Sequence, residues 1–123
     1  MLVNFSNHRI ENWSEEQLAT AKTYGEIVDV PFPNVDPTGS VSYITDLADE
    51  WVENLMSIIE NLECDVVHIM GELNLVYSVV NKLKSRGVKC VVSTTERKVE
   101  EKLSENGEVQ KIATFKFCTF REF

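Results

Sequence analysis

Residues 65–70 read Asp-Val-Val-His-Ile-Met, an apolar run without polar alternation. Such a run belongs to a strand buried on both faces, the central position of a parallel sheet. A strand of that kind needs helices on both sides of its sheet. Before it, Ile44, Leu47, Ala48, Trp51, Val52, Leu55, Ile58, Ile59 and Leu62 recur at three- and four-residue spacings, which predicts a long amphipathic helix. Asp46, Asp49, Glu50, Glu53 and Glu60 fall on its wet face and read as a solvated surface. After Gly71-Glu72 a second helix is expected from about Leu73 to Lys84, with Leu73, Val76, Tyr77, Val80 and Leu83 on one face and Gly87 at its end.

The rest of the chain continues the alternation. Leu2-Val3-Asn4-Phe5 reads as a first strand, stopping at Ser6-Asn7-His8-Arg9. Ser14 with Gln17 three residues on forms a capping box, and Trp13 with Leu18 a hydrophobic staple, so a helix begins there and ends at Gly25. Glu26–Val30 is the second strand, followed by a loop from Pro31 to Gly39 broken by three prolines. Val88–Val92 is the fourth strand, closing on Ser93-Thr94-Thr95-Glu96-Arg97. Residues 97–105 are read as a hairpin arm running on from it, although Val99 and Leu103, four apart, also suit a short helix. Asn106-Gly107 predicts a type I′ turn, and Ile112–Phe120 a final antiparallel strand. The expected fold is one Rossmann-like α/β domain over residues 1–123, a three-layer sandwich. Its sheet is mostly parallel, in the order 2-1-3-4-5, with an antiparallel C-terminal edge strand.

Composition narrows the function. The chain has 123 residues and a formal net charge of −8, which disfavours duplex nucleic acid as a partner, because affinity there comes from cations neutralising phosphates. A small phosphate ligand held by backbone N–H groups and one Arg stays open. No apolar run is long enough to cross a membrane, and the N-terminus lacks the basic and apolar regions of a signal peptide. Cys64, Cys90 and Cys118 are far apart and in apolar contexts, which suits buried thiols in a reducing cytoplasm. There is no G-x-G-x-x-G, no G-K-[ST], no G-x-S-x-G and no metal-ligand spacing, so no cofactor is implied.

In an open α/β sheet, ligands bind beyond the carboxyl ends of the strands where the strand order reverses. In the expected order that place collects Ser6, Asn7, His8 and Arg9 after strand one and Gly71 and Glu72 after strand three. Ser93, Thr94, Thr95 and Arg97, after strand four, are the next neighbours. His8 is read as a general acid or base, or a hydrogen-bond donor to a phosphate, against a surface His without a role. Arg9 and Arg97 are candidate phosphate clamps; the alternative for Arg97 is an ion pair with Glu96. Glu72 either receives a ribose hydroxyl or caps the third helix. Gly71 either admits a ligand to the backbone or serves a strand-to-helix turn. His68, mid-strand, is read as a hydrogen-bonded core residue.

The Ser-Asn-His end of strand one, the strand ending Met70-Gly71-Glu72, the helix after it and the hydroxyl-rich end of strand four resemble one family along the whole chain. It is the small stand-alone relatives of the CRISPR-associated Rossmann-fold (CARF) domains, some of which are ring nucleases. The resemblance implies a homodimer that binds a cyclic oligoadenylate across its two-fold axis and cleaves it. A ribose 2′-hydroxyl attacks the adjacent phosphorus without a metal and leaves a cyclic 2′,3′-phosphate. It also implies that His8 assists proton transfer, that Arg9 or Arg97 stabilises phosphate charge, and that Ser6, Asn7, Gly71 and Thr94 position the ring. The net charge departs from what a tetra-anionic ligand favours. The alternatives are a non-catalytic nucleotide sensor or a protein-interaction module using the Phe115–Phe120 edge, with a flavin-binding domain ranked last.

Overall fold

The computed structural model describes residues 1–123. Strands β1 (Leu2–Ser6), β2 (Ile27–Pro31), β3 (Val66–Met70), β4 (Cys90–Leu103) and β5 (Val109–Glu122) form one sheet in the order β2-β1-β3-β4-β5. The first four are parallel and β5 is antiparallel to β4. This is the expected order, and β1 and β3 are the most buried strands. Helices α1 (Glu15–Lys22), α2 (Val41–Leu62) and α3 (Leu73–Ser85) cover its faces.

Each helix starts where its cap allows. Ser14 Oγ accepts from Gln17 N, Ser40 Oγ from Tyr43 N, and the Glu72 carboxylate from Leu75 N, each taking up an N–H that has no partner within its helix. Helix α2 ends at Glu63, in the left-handed conformation at φ 51°. Helix α3 is rotated from the expected stripe. Leu75, Val76, Val79, Val80 and Leu83 are buried, whereas Leu73 and Tyr77 are exposed, because the run 75-76-79-80-83 is the one that meets the sheet.

The two faces of the sheet are unequally covered. Val3, Phe5, Val67 and Ile69 pack under the 22-residue α2 and the 13-residue α3 in a core of 14 buried residues. Phe5 is fully buried against Phe32 and Trp51, a burial contributing roughly 1.5–3 kcal/mol. The opposite face has only the eight-residue α1. With Trp13 it covers Leu2, Val66 and Val91, toward the start of the strands. The carboxyl half of that face is open to other uses.

Beyond the body of the sheet, β4 and β5 continue as a two-stranded ribbon to Leu103 and Val109. Residues 97–103 are strand, not helix. The turn differs from type I′. Gly107 N donates to Ser104 O, so the turn is centred on Glu105-Asn106, whose φ values are not positive, and Gly107 follows at φ 78°. That is a turn with a glycine bulge, the usual solution for a three-residue loop. A second bulge falls at Cys118, where Thr94 pairs with Thr119 but Thr95 with Phe117. Cys118 is exposed, against expectation; Cys64 is half-buried and only Cys90 is buried. Burial pushes the Cys90 thiol up to about 11.

Gly71 follows β3 at a close approach. A Cβ built there meets the Phe32 ring at 2.5 Å, and Phe32 is held by Phe5. Gly71→Ala should therefore destabilise the fold by about 1–3 kcal/mol. Combining it with Phe32→Leu should recover part of the loss, as read by denaturant unfolding of the single and double variants.

Candidate functional site

Asn4, Asp29 and His68 lie in one register row across β2, β1 and β3. They share the face that α1 only partly covers. The Asn4 amide donates one hydrogen bond to Asp29 Oδ1 and one to the His8 carbonyl, both at 2.8 Å. Both partners only accept, which fixes the amide: the NH2 faces them and Oδ1 faces the other way. Oδ1 lies 2.8 Å from Ser6 Oγ and 2.8 Å from His68 Nδ1. Since Oδ1 only accepts, His68 Nδ1 carries the proton. The neutral ring then has its lone pair on Nε2, the single buried side-chain N or O atom without a partner.

His68 is 0% exposed, with Trp13 and Phe120 edge-on at 5.3 Å between ring centroids. Desolvation, with a smaller repulsion from His8, lowers its pKa to about 4. The His8 carbonyl also accepts from Trp13 Nε1 at 3.2 Å, and Ser6 Oγ, whose single proton is shared between this carbonyl at 2.9 Å and Asn4 Oδ1, lies beside it, so the backbone of the loop after β1 is tied down where His8 projects.

Against this row opens a pocket of about 340 Å³. The loop after β1 contributes His8, Asn12 and Trp13, and α1 contributes Gln17. Strand β3 contributes His68 and Met70, β4 Ser93 and Thr95, and β5 Phe115. No Asp or Glu lines it. Arg97 does not line the pocket; it pairs across the ribbon with Phe115 and alternates with Ser93 and Thr95, which puts it on the same face of β4, next along the strand. The bulge at Cys118 brings Phe115, Phe117 and Phe120 onto this same face, as partners of Arg97, Thr95 and Ser93.

The residues singled out in the sequence divide into groups. His8, Ser93 and Thr95 meet in the pocket. Ser6 is buried beneath it as a support for Asn4 and the His8 carbonyl. Asn7 is exposed, and its N–H ties the loop to Met70 O. Arg9 and Arg97 are exposed and make no ion pair. Thr94 bonds to the backbone of Thr119. Gly71 faces Phe32, and Glu72 caps α3.

Glu72 also lines a separate cleft of about 580 Å³ between the proline-rich loop, the start of α2 and α3. Its acidic groups are engaged: Asp36 accepts from Thr38 N and Oγ1, which lowers its pKa, and Glu72 from Leu75 N. A shallower hollow of about 770 Å³ lies at the amino end of β2, lined by Lys22 and Glu26 among others. Neither contains an unpartnered buried polar atom. No group of three His, Cys, Asp or Glu side chains is arranged to hold a metal, and no helix is long and apolar enough to cross a membrane.

Asn4, Asp29 and His68 are the site residues that reading the strands singly misses. Their signal is a polar residue in the middle of each of three otherwise mostly apolar strands, at positions that become neighbours only once the register is known.

The fold and this pocket define a Rossmann-like α/β protein with a ligand-sized hollow at the carboxyl edge of its sheet. The family model described as the uncharacterized protein MJ1673 family matches residues 1–121. The chain belongs to that family. A search of curated proteins finds no match to it.

The depressed pKa of His68 has a consequence for stability. Between pH 6.5 and about 4 the unfolded chain binds a proton that the folded protein does not. Stability from this group is complete above pH 6.5 and lost as pH falls toward 4, by up to about 3 kcal/mol. Thermal unfolding followed from pH 7 to pH 5 should show a falling midpoint in the wild type and a flatter profile in His68→Phe.

Proposed function

We propose that this protein binds a cyclic oligoadenylate at the α1-side pocket and cleaves it without a metal, as a ring nuclease acting as an off-switch in type III CRISPR defence. The observation that carries this reading is the pocket's charge. In a chain of net charge −8, the hollow at the strand ends is lined by hydroxyls, amides, imidazoles and aromatic rings and by no carboxylate. Such a surface accepts an anion bearing purine rings, with Phe115 and Trp13 as apolar walls for a base and Arg97, next along β4, for a phosphate.

At 340 Å³ the pocket is near the lower bound for small-molecule sites and has room for one nucleoside rather than a ring of four nucleotides. A ring ligand therefore needs a second copy of the chain. The ribbon supports this part of the reading. Its pocket-side face carries Phe115, Val99, Leu103 and Val109, which are 68%, 53%, 78% and 58% exposed. A two-stranded ribbon is marginal alone in water and gains from being covered. Its flanking charges are of both signs, Arg97, Lys98, Lys102 and Lys111 beside Glu96, Glu100 and Glu101, which suits pairing with itself across a two-fold axis.

In the reaction, the ribose 2′-oxygen forms a bond to the adjacent phosphorus and the bond from phosphorus to the 5′-oxygen breaks. The 2′-hydroxyl loses a proton and the 5′-oxygen gains one, leaving a cyclic 2′,3′-phosphate and a 5′-hydroxyl. His8 is the group in the pocket that moves the proton. Arg97 stabilises the charge that grows on the phosphoryl oxygens.

Cyclic tetra-adenylate incubated with the protein in excess EDTA should yield linear products ending in a cyclic 2′,3′-phosphate, read by liquid chromatography–mass spectrometry. His8→Ala and Arg97→Ala should each slow cleavage about 100-fold. Intact ligand that raises the melting temperature would replace the enzyme with a sensor. Intact ligand with no shift would remove the ligand as well. Sedimentation should show a two-chain species that Leu103→Glu with Val109→Glu converts to single chains.

A further inference from the structure

We infer that His68 Nε2 is the acceptor that reads a base in the pocket, selecting a base that presents an amino group, adenine, over one that presents a carbonyl. The inference rests on the reading of the pocket as a nucleotide site and goes beyond it by naming the atom that discriminates.

The hydrogen-bond chain leaves one assignment. Asp29 and the His8 carbonyl orient the Asn4 amide, the amide oxygen fixes the proton on His68 Nδ1, and Nε2 is left as a lone pair. A buried polar atom without a partner costs free energy, and natural proteins keep few of them. Here it occurs once, on a side chain that lines the pocket at the carboxyl edge of the sheet. Asp29 is in turn held by Ile10 N, so the row is anchored at its β2 end. The histidine therefore cannot rotate to satisfy itself without breaking its bond to Asn4.

The aromatic rings against the imidazole supply no partner. His68 packs edge-on against Trp13 and Phe120, neither of which offers it a hydrogen-bond donor, since the Trp13 N–H is already given to the His8 carbonyl. Low solvent access keeps the imidazole neutral near pH 7, so Nε2 accepts and does not donate. The group that satisfies it is an N–H donor on a flat ring that slides between aromatic walls. The exocyclic amine of adenine has that form. The carbonyl oxygen of hypoxanthine at the same place would set lone pair against lone pair, and a site built to receive a donor rejects the analogue that lacks it.

The experiment uses AMP and IMP, with cyclic tetra-adenylate as a separate arm. In isothermal titrations the wild-type protein should bind AMP about tenfold more tightly than IMP, the penalty of one unmade buried hydrogen bond. In His68→Phe, which keeps an aromatic ring and lacks the acceptor, the two should bind within about twofold. Nitrogen NMR of the wild type tests the same point without a variant: the His68 Nε2 resonance should move upfield on adding AMP and stay in place on adding IMP. Equal affinity for AMP and IMP, or an unmoved Nε2 signal in the AMP-saturated protein, would overturn the assignment while nucleotide binding stood. Discrimination with AMP but no binding of cyclic tetra-adenylate would uphold His68 and overturn the ring ligand. Binding of no nucleotide at all would overturn both.

Discussion

The carboxamide of Asn4 is the hub of the α1 side of the sheet. Its two N–H groups and one oxygen engage β2 through Asp29, β3 through His68 and the loop after β1 through the His8 carbonyl. A carboxylate or an aliphatic side chain of the same size could make only part of that set. An aspartate would place a second negative charge beside Asp29, and a leucine would leave Asp29 and His68 Nδ1 with unmade bonds. The orientation of the imidazole follows from this one group, and the His8 loop takes one of its ties from it.

The unequal cover of the two faces makes such a hub possible. Two helices and the Phe5–Phe32–Trp51 cluster seal one side with apolar contacts. The short α1 leaves the other side's carboxyl half without a helix, and a polar row fills part of it. A protein of this size needs one well-packed core to be stable; the side that supplies it here is the side away from the pocket. The packed core and the pocket thereby lie on opposite faces of the same strands, through alternate residues of β1: Val3 and Phe5 toward one, Asn4 and Ser6 toward the other.

The architecture was legible because its signals are local. The Ser14–Gln17 capping box, the three prolines after β2 and the periodicity of α2 each mark an element without reference to any other. The strand order followed from the connections those elements require. His8, Ser93 and Thr95 were legible by the same logic, since the carboxyl edge is defined by strand direction alone. What escaped depends on pairs. Asn4, Asp29 and His68 become a site only through the register that sets them side by side, and His68 by itself resembles any buried histidine. Leu73 and Tyr77 fit a helical stripe as well as Leu75 and Val79 do, and only the angle at which α3 crosses the sheet separates the two. The bulge at Cys118 is likewise a property of the β4–β5 pair, although the odd spacing of Phe117 and Phe120 hints at it.

The separation between the partners of the Asn4 amide sets an order of events in folding. Asp29 is 25 residues away and His68 is 64. During synthesis β1 and β2 emerge together early, but β1 is a central strand and its second edge stays bare until β3 has left the ribosome. The ribbon of β4 and β5, by contrast, joins segments adjacent in the chain and closes quickly once both are present. The nascent chain thus carries a buried-type strand with an unpaired edge through much of its translation, the kind of exposed edge that chaperones recognise. Because the last partner of Asn4 to arrive is His68, no intermediate that lacks β3 contains the pocket's floor.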